Sequence, residues 1–250
     1  MIILGIDIGG TSIKAGRVNT VTGEIVGDKI KVVTPHPSTR EALLEAVAGV
    51  VAHFDHKGPV GIGFPGVIRS GVIATAASFD KVLIGMPLGD ALRERTGVTS
   101  VTLVNDADAA GLGEASFGGI PASAGLVVVL TLGTGIGGAL VYHGRLVPNF
   151  EPGRWLIPDY RKPGTRTDVE FILSAINRQK LGLSWETWAT MFNAYLAELH
   201  ATLWPEMIVL GGGGAYDADK FMPFLKADCP VHIARLGNDA GLIGAALAAR

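Results

Sequence analysis

Short apolar runs alternate with amphipathic helical segments along this chain. Five runs have the length of buried strands and are mostly apolar: 2–7, 60–64, 101–104, 126–132 and 207–210. Apolar residues recur at helical spacing over 39–54, behind a Ser38/Glu41 capping box, and again from Trp185 to Leu199, behind Ser184. Strands that alternate with helices are typical of an α/β fold. Residues 158–182 are polar and turn-rich, and we expect a loop or lid there.

Composition and charge exclude several classes of protein. With 48% hydrophobic and 18% charged residues the chain can bury a core, so disorder is excluded. A net charge of −2 is too balanced for a nucleic-acid-binding surface. The one cysteine, Cys229, fits a reducing cytoplasm, and the amino terminus lacks the basic region of a signal peptide. The uncharged stretch 118–143 is long enough for a membrane span, but its glycines favour two strands around a turn.

Two of the apolar runs end in similar glycine-rich turns. Gly9-Gly10-Thr11 and Gly133-Thr134-Gly135 each lead into a second strand, which suggests duplicated lobes whose turns face one cleft. Glycine lets backbone N–H groups converge on an anion, so both turns are candidate phosphate sites, with Lys14 as an added charge. The alternative is a pair of ordinary tight hairpins. Neither turn matches a P-loop or a Rossmann fingerprint.

Two carboxylates follow strands at positions that suit chemistry. Asp7 ends the first strand beside its glycine turn, and it is a candidate partner of Mg²⁺, directly or through water; alternatively it caps its own turn. Asp106 follows the strand 101–104, where an α/β sheet presents its ligands, and it is a candidate general base. The alternative is that Asn105 or Asp106 only caps the next helix. Asp108 is the rival carboxylate, although we expect it to point elsewhere.

Four motifs stand in order over nearly the whole chain. They are Asp7-Ile8-Gly9-Gly10-Thr11, Asn105-Asp106-Ala107-Asp108-Ala109-Ala110-Gly111, Leu130-Thr131-Leu132-Gly133-Thr134-Gly135-Ile136-Gly137 and Val209-Leu210-Gly211-Gly212-Gly213. Together they resemble the ROK family (repressors, uncharacterised open reading frames, sugar kinases), and within it the polyphosphate glucokinases. The resemblance implies an actin-like ATPase (ribonuclease H-like) fold with two lobes and a central cleft. We expect a smaller lobe at 1–107 and a larger one at 108–250, with the last helix a candidate to pack back on the first lobe.

The resemblance also implies a phosphotransferase. A phosphoryl group would pass from inorganic polyphosphate, ATP or both to the 6-hydroxyl of a hexose, with glucose as the first choice and Asp106 as the base. Mg²⁺ at Asp7 is implied as cofactor, zinc is not expected because the family's Cys/His cluster is missing, and a cytoplasmic homodimer is implied. The implied sugar contacts are Phe64, Pro65, Gly66, Ser78, Asn105, Asp106, Glu151 and Arg154. The implied donor contacts are Asp7, Gly9, Gly10, Thr11, Lys14, Gly133, Thr134, Gly135, Gly211, Gly212 and Gly213.

The departures from the family cluster on the acceptor side. Arg154 stands where the family has a histidine, Leu156 where close relatives often have a glutamate, and Ser78 where it has an asparagine. Sites that lose hydrogen-bond partners lose discrimination, so glucose recognition should weaken or be redirected, and Arg154 could favour an anionic acceptor. Alternatively the loop from Glu151 onward rearranges and glucose still binds.

Two rival functions follow from these departures. One is a kinase of the same fold for another hexose, an amino sugar or a pantothenate-like alcohol. The other is a sugar-binding regulator with weak catalysis. Donor preference is open, because the basic residues that could guide polyphosphate are scattered: Lys81, Arg145, Arg161 and Lys162.

Overall fold

The computed structural model describes residues 1–76, 79–159 and 161–250. These residues form two compact units, one of Met1–Phe117 with Asp239–Arg250 and one of Gly118–Asn238. The boundary lies beyond the one expected after residue 107, because the helix that begins at Asp106 belongs whole to the first unit.

Fourteen strands and eight α-helices make up the described chain. The strands are β1 (Ile2–Ile8), β2 (Ser12–Asn19), β3 (Ile25–Val33), β4 (Val60–Phe64), β5 (Ile68–Arg69), β6 (Val72–Ile73), β7 (Val101–Asn105), β8 (Leu126–Leu132), β9 (Ile136–Tyr142), β10 (Arg145–Val147), β11 (Leu156–Pro158), β12 (Arg166–Asp168), β13 (Met207–Gly211) and β14 (Val231–Ile233). The helices are α1 (Arg40–His53), α2 (Leu88–Thr96), α3 (Asp106–Phe117), α4 (Glu170–Leu173), α5 (Ala175–Lys180), α6 (Trp185–Leu203), α7 (Ala218–Phe221) and α8 (Ala240–Ala248). Short 3₁₀ turns lie at Lys81–Leu83, Pro152–Arg154, Gly213–Asp217, Met222–Phe224 and Gly237–Asp239.

Each unit contains a five-stranded sheet of the same topology. The strand order is β3-β2-β1-β4-β7 in the first unit and β10-β9-β8-β13-β14 in the second. In both, three strands pair antiparallel in chain order, and two later strands add parallel to the first of them. The predicted internal duplication is thus confirmed as two copies of one sheet. Residues 118–143 supply β8 and β9, as predicted, and no helix in the described ranges is long and apolar enough to cross a membrane.

The start of α1 differs from the prediction. Thr39 is the N-cap, and its Oγ1 accepts a hydrogen bond of 3.2 Å from the amide of Ala42. The Ser38 hydroxyl instead donates to the carbonyl of Pro35 at 2.6 Å, so the predicted Ser38/Glu41 capping box is wrong. The local contact with Pro35 removes Ser38 from competition for the helix end.

Helix α8 packs by backbone contact onto β4 and α3. A Cβ atom added at Gly61 would lie 1.7 Å from the carbonyl oxygen of Ala245, and one at Gly244 would lie 1.6 Å from that of Ala109. Only glycine lets two backbones approach this closely. This packing explains why α3 and α8 both belong to the first unit.

The core of the second unit is built on α6. Ser184 caps the helix by accepting from the amide of Thr187 at 3.1 Å, as predicted, and the aromatic face from Trp188 to Tyr195 is buried. The prediction of a loop over 158–182 is wrong, because the segment contributes to the β11–β12 hairpin and forms α4 and α5. Ile172 and Leu173 anchor α4 in the core. A four-residue helix is too short to produce a visible hydrophobic period.

Candidate active site

The predicted acceptor-side residues of the first unit gather at one edge of its sheet. Strands β1, β4 and β7 run parallel, so their carboxyl ends meet there. The register pairs Asp7 with Gly63 and Phe64 with Asn105. Asp106 follows directly, and a Cβ atom on Gly63 would lie 3.5 Å from its Cα. Because neighbouring strands are about 4.8 Å apart, Asp7 and Asp106 belong to one compact site.

Asn105 caps the helix that begins at Asp106. Its Oδ1 accepts from the amides of Ala107 at 2.8 Å and Asp108 at 3.0 Å. The predicted alternative of a helix cap therefore applies to Asn105. The Asp106 carboxylate adds a 2.9 Å contact to the Ala107 amide and stays half-buried, at a helix N-terminus that favours its ionised form. Asp108 is 1% exposed, which does not suit a base that must reach substrate from solvent.

The loop after β4 is fixed against the same strand end. The side-chain amide of Asn105 donates to the carbonyl of Gly66 at 3.2 Å. Gly66 itself has no room for a side chain, since a Cβ atom would lie 2.1 Å from the carbonyl oxygen of Thr75. The structure thus brings Phe64-Pro65-Gly66 next to Asn105 and Asp106, whereas the predicted contact Ser78 lies outside the described residues.

The first glycine turn has engaged carbonyls and available amides. Thr34 donates through its hydroxyl to the carbonyl of Gly9 at 2.6 Å, and the ring of His36 hydrogen-bonds the carbonyl of Gly10 at 2.9 Å. Among the described residues, no backbone carbonyl accepts from the amides of Gly10 or Thr11. Such a turn presents donors to an anion. Sequence reasoning missed Thr34 and His36 as its supports, because they lie a strand pair away along the chain.

Asp7 and Lys14 face each other across the hairpin that carries this turn. Lys14 Nζ lies 3.4 Å from Asp7 Oδ2, and the two residues are direct partners in the β1–β2 register. Burial raises the pKa of Asp7, and the Lys14 charge offsets only part of that rise. A buried carboxylate that is incompletely neutralised beside phosphate-directed amides fits Mg²⁺, which binds through few carboxylates, waters and substrate phosphates. In the described chain no cluster of three His, Cys, Asp or Glu residues forms a fuller metal site.

In the second unit the other two glycine segments lie together. The amide of Gly133 donates to the carbonyl of Gly135, and the carbonyl of Gly133 accepts from Ala175, both at 3.0 Å. Gly212 has a φ of +76°, and a Cβ atom there would lie 2.7 Å from the carbonyl oxygen of Leu132, which precedes the turn. The predicted donor segments 133–135 and 211–213 therefore adjoin each other.

The remaining acceptor candidates belong to a charged cluster beside this second turn. Arg154 Nη1 lies 3.1 Å from Glu170 Oε1 and 3.8 Å from Asp168 Oδ2. Burial raises the pKa of Glu151, while the Arg154 charge lowers it and the Glu170 charge raises it. Two carboxylates compensate Arg154, which argues against the expectation that it favours an anionic acceptor. Sequence reasoning missed Asp168 and Glu170, because both lie in the segment that was predicted to be a loop.

Comparison with known proteins decides the family. Residues 3–148 match the ROK family. This chain belongs to the ROK family. It is 41% identical over 244 residues to a polyphosphate glucokinase of Mycobacterium tuberculosis (strain CDC 1551 / Oshkosh), covering 98% of this chain and 89% of that one.

Solved structures of ROK proteins agree with this ROK chain over almost all its length. The inorganic polyphosphate/ATP-glucomannokinase of Arthrobacter sp. strain KM has a TM-score of 0.90 at 40% identity, covering 98% of this chain and 97% of the other. A ROK glucokinase of Streptomyces griseus, in complex with glucose and AMPPNP, has a TM-score of 0.83 at 27% identity, with 100% and 99% covered. The predicted actin-like ATPase fold with two lobes is confirmed.

Proposed function

We propose that this chain is a hexose kinase that transfers a phosphoryl group from inorganic polyphosphate, ATP or both to a sugar hydroxyl. The observation that carries the proposal is the 41% identity to a polyphosphate glucokinase over 98% of the chain. Two glycine turns with engaged carbonyls, and a carboxylate at a neighbouring strand end, supply the groups that such chemistry needs.

Asp106 acts as the general base on the 6-hydroxyl of the hexose, with glucose as the first candidate. The carboxylate accepts the hydroxyl proton as the sugar oxygen attacks the terminal phosphorus of the donor. The bond between that phosphorus and its bridging oxygen breaks, and the donor leaves as ADP or as polyphosphate shortened by one unit. Asn105, Glu151, Arg154 and the Phe64-Pro65-Gly66 loop orient the sugar, and little further covalent assistance is required.

The donor phosphates bind the two glycine turns, Gly9-Gly10-Thr11 and Gly133-Thr134-Gly135, with Lys14 and the segment Gly211–Gly213. Mg²⁺ held through water by Asp7 would neutralise phosphate charge there. The incompletely neutralised carboxylate of Asp7 supports this assignment. No zinc is expected to take part.

Asp106→Asn tests the base directly. We expect kcat to fall by about 10²–10⁴-fold, because the amide cannot accept the proton. Thermal unfolding should stay close to that of the wild type. Asp90→Asn is the matched control, since Asp90 is an exposed helix-surface acid in the same unit. Near-wild-type turnover by Asp106→Asn would remove Asp106 from its role.

A kinase for a different acceptor is the second candidate. It is favoured by the pairing of Arg154 with Glu170 where the family has a histidine, and by the exposed Leu156. A screen of glucose, mannose, amino sugars and pantothenate-like alcohols with each donor separates the candidates by kcat/KM. A regulator without catalysis would instead gain thermal stability from a sugar and form no product.

We also propose a cytoplasmic homodimer that binds neither nucleic acid nor membrane. The balanced charge of −2 and the family resemblance support this. Light scattering on the purified protein tests the dimer, and a fluorescent fusion tests the location.

A further inference from the structure

A small pocket in the second unit adjoins both proposed donor segments. One wall is Leu132, the residue before the turn Gly133-Thr134-Gly135. Another is α5, whose first residue, Ala175, donates to the carbonyl of Gly133 at 3.0 Å. A third is Gly214, where a Cβ atom would lie 2.9 Å from the Cβ of Leu132. A group attached to phosphates on these segments would therefore extend toward this pocket.

An aromatic and cationic stack fills most of the pocket. The Arg178 guanidinium lies 3.7 Å from the ring centroid of Trp185, and it is fixed there by a 2.8 Å hydrogen bond to the carbonyl of Leu183. The indole also packs against Phe221, with centroids 5.7 Å apart, and Trp188, at 5.9 Å. The cavity volume that remains is about 20 Å³, which is enough for a water molecule and not for a purine.

We propose that Trp185, held in place by Arg178, determines donor specificity by occupying the space that a nucleobase would need. This inference rests on the proposed kinase function and adds to it a preference for inorganic polyphosphate over ATP. The phosphates of either donor can bind the glycine amides equally well. Only ATP carries a base, and a base that finds no stacking surface contributes no binding.

Arg178 makes the same distinction through its charge. Its side chain is half-buried at the pocket, where a further phosphate of a polyphosphate chain would meet a guanidinium. An adenine ring offers no charge to pair with it. The stack therefore disfavours the base sterically and favours the longer phosphate chain electrostatically.

The test compares donors in wild type, Trp185→Ala and Arg178→Gln. Values of kcat/KM are measured with ATP and with polyphosphate at saturating glucose, and the affinities of ADP and tripolyphosphate are measured by calorimetry. We expect Trp185→Ala to raise kcat/KM for ATP and the affinity for ADP about tenfold, with polyphosphate use nearly unchanged. Arg178→Gln should lower polyphosphate use. Trp204→Ala, at an exposed tryptophan at the end of α6, should leave the donor ratio unchanged.

Several results would overturn the proposal. A selective loss of ATP use or ADP affinity in Trp185→Ala would make Trp185 a stacking surface for the base. An equal loss with both donors would make its role structural. Trp185→Leu, which keeps an apolar side chain against Phe221, gives the same decision if the alanine variant does not fold. If wild type phosphorylates no sugar, the kinase proposal fails, and the ADP and tripolyphosphate affinities still decide the role of Trp185.

Discussion

The contact between α8 and α3 makes a strong prediction about a single methyl group. In Gly244→Ala the new Cβ would lie 1.6 Å from the oxygen and 2.5 Å from the carbon of the Ala109 carbonyl, and 2.9 Å from the amide nitrogen of Gly113. All three are backbone atoms, so no side-chain rotation relieves the overlap. The helices must separate by roughly 1.5–2 Å to restore van der Waals contact.

The expected destabilisation follows from two opposing effects. Overpacking of this severity costs about 3 kcal/mol, the upper part of the usual range. Replacing a helical glycine by alanine gains about 1 kcal/mol of helix propensity. The net loss in the free energy of unfolding is about 2 kcal/mol, which lowers Tm by about 4–8 °C for a chain of this size. Because Gly241 of the same helix adjoins the Asp7 carboxylate, we also expect kcat to fall.

Gly49→Ala is the matched control, because Gly49 is also inside a helix. A Cβ atom there meets nothing within 4 Å, so only the propensity gain remains. We expect Tm to rise by about 2–4 °C with unchanged kcat. Both variants are followed by circular dichroism on heating and by urea titration. A Gly244→Ala protein at least as stable as wild type would refute the close backbone approach.

Three further predictions concern the charged groups. Arg154→His should raise kcat/KM for glucose several-fold by releasing Glu170 from its ion pair; an unchanged value would argue against this account of the pocket. In Arg154→Gln the pKa of Glu151 should rise further, because the lowering charge is lost while Glu170 remains, so the acid limb of the kcat/KM profile should move to higher pH. Asp7→Asn should raise the Mg²⁺ concentration that gives half-maximal rate; an unchanged requirement would place the ion elsewhere.

Local sequence signals predicted the elements and the ends of the strands well. The apolar runs gave the strands that carry Asp7 and Asp106, and a parallel arrangement of β1, β4 and β7 is enough to bring their ends together. The duplicated strand-turn pattern was visible because the glycine positions repeat about half a chain apart. These features depend on residues that are close in sequence, or on a general rule of sheet topology.

Tertiary pairing could not be predicted in the same way. The compensation of Arg154 by Glu170 depends on a fold of residues 156–173 that no periodic pattern announces. The need for glycine at Gly61 and Gly244 arises from elements far apart in the chain, so the sequence shows only a glycine excess. The choice between Ser38 and Thr39 as helix cap turns on one local hydrogen bond to Pro35.

The duplicated sheets explain why the chain has two phosphate turns and one candidate base. Strands β4 and β13 occupy equivalent positions, yet β4 leads into Phe64-Pro65-Gly66 and β13 into the glycines from Gly211 onward. Strands β7 and β14 are also equivalent, yet Asp106 follows β7 while Ala234 follows β14. The hairpin with the turn was kept in both copies because each can bind phosphate. The parallel strand ends diverged, so that proton transfer belongs to the first unit and the pocket beside the donor to the second.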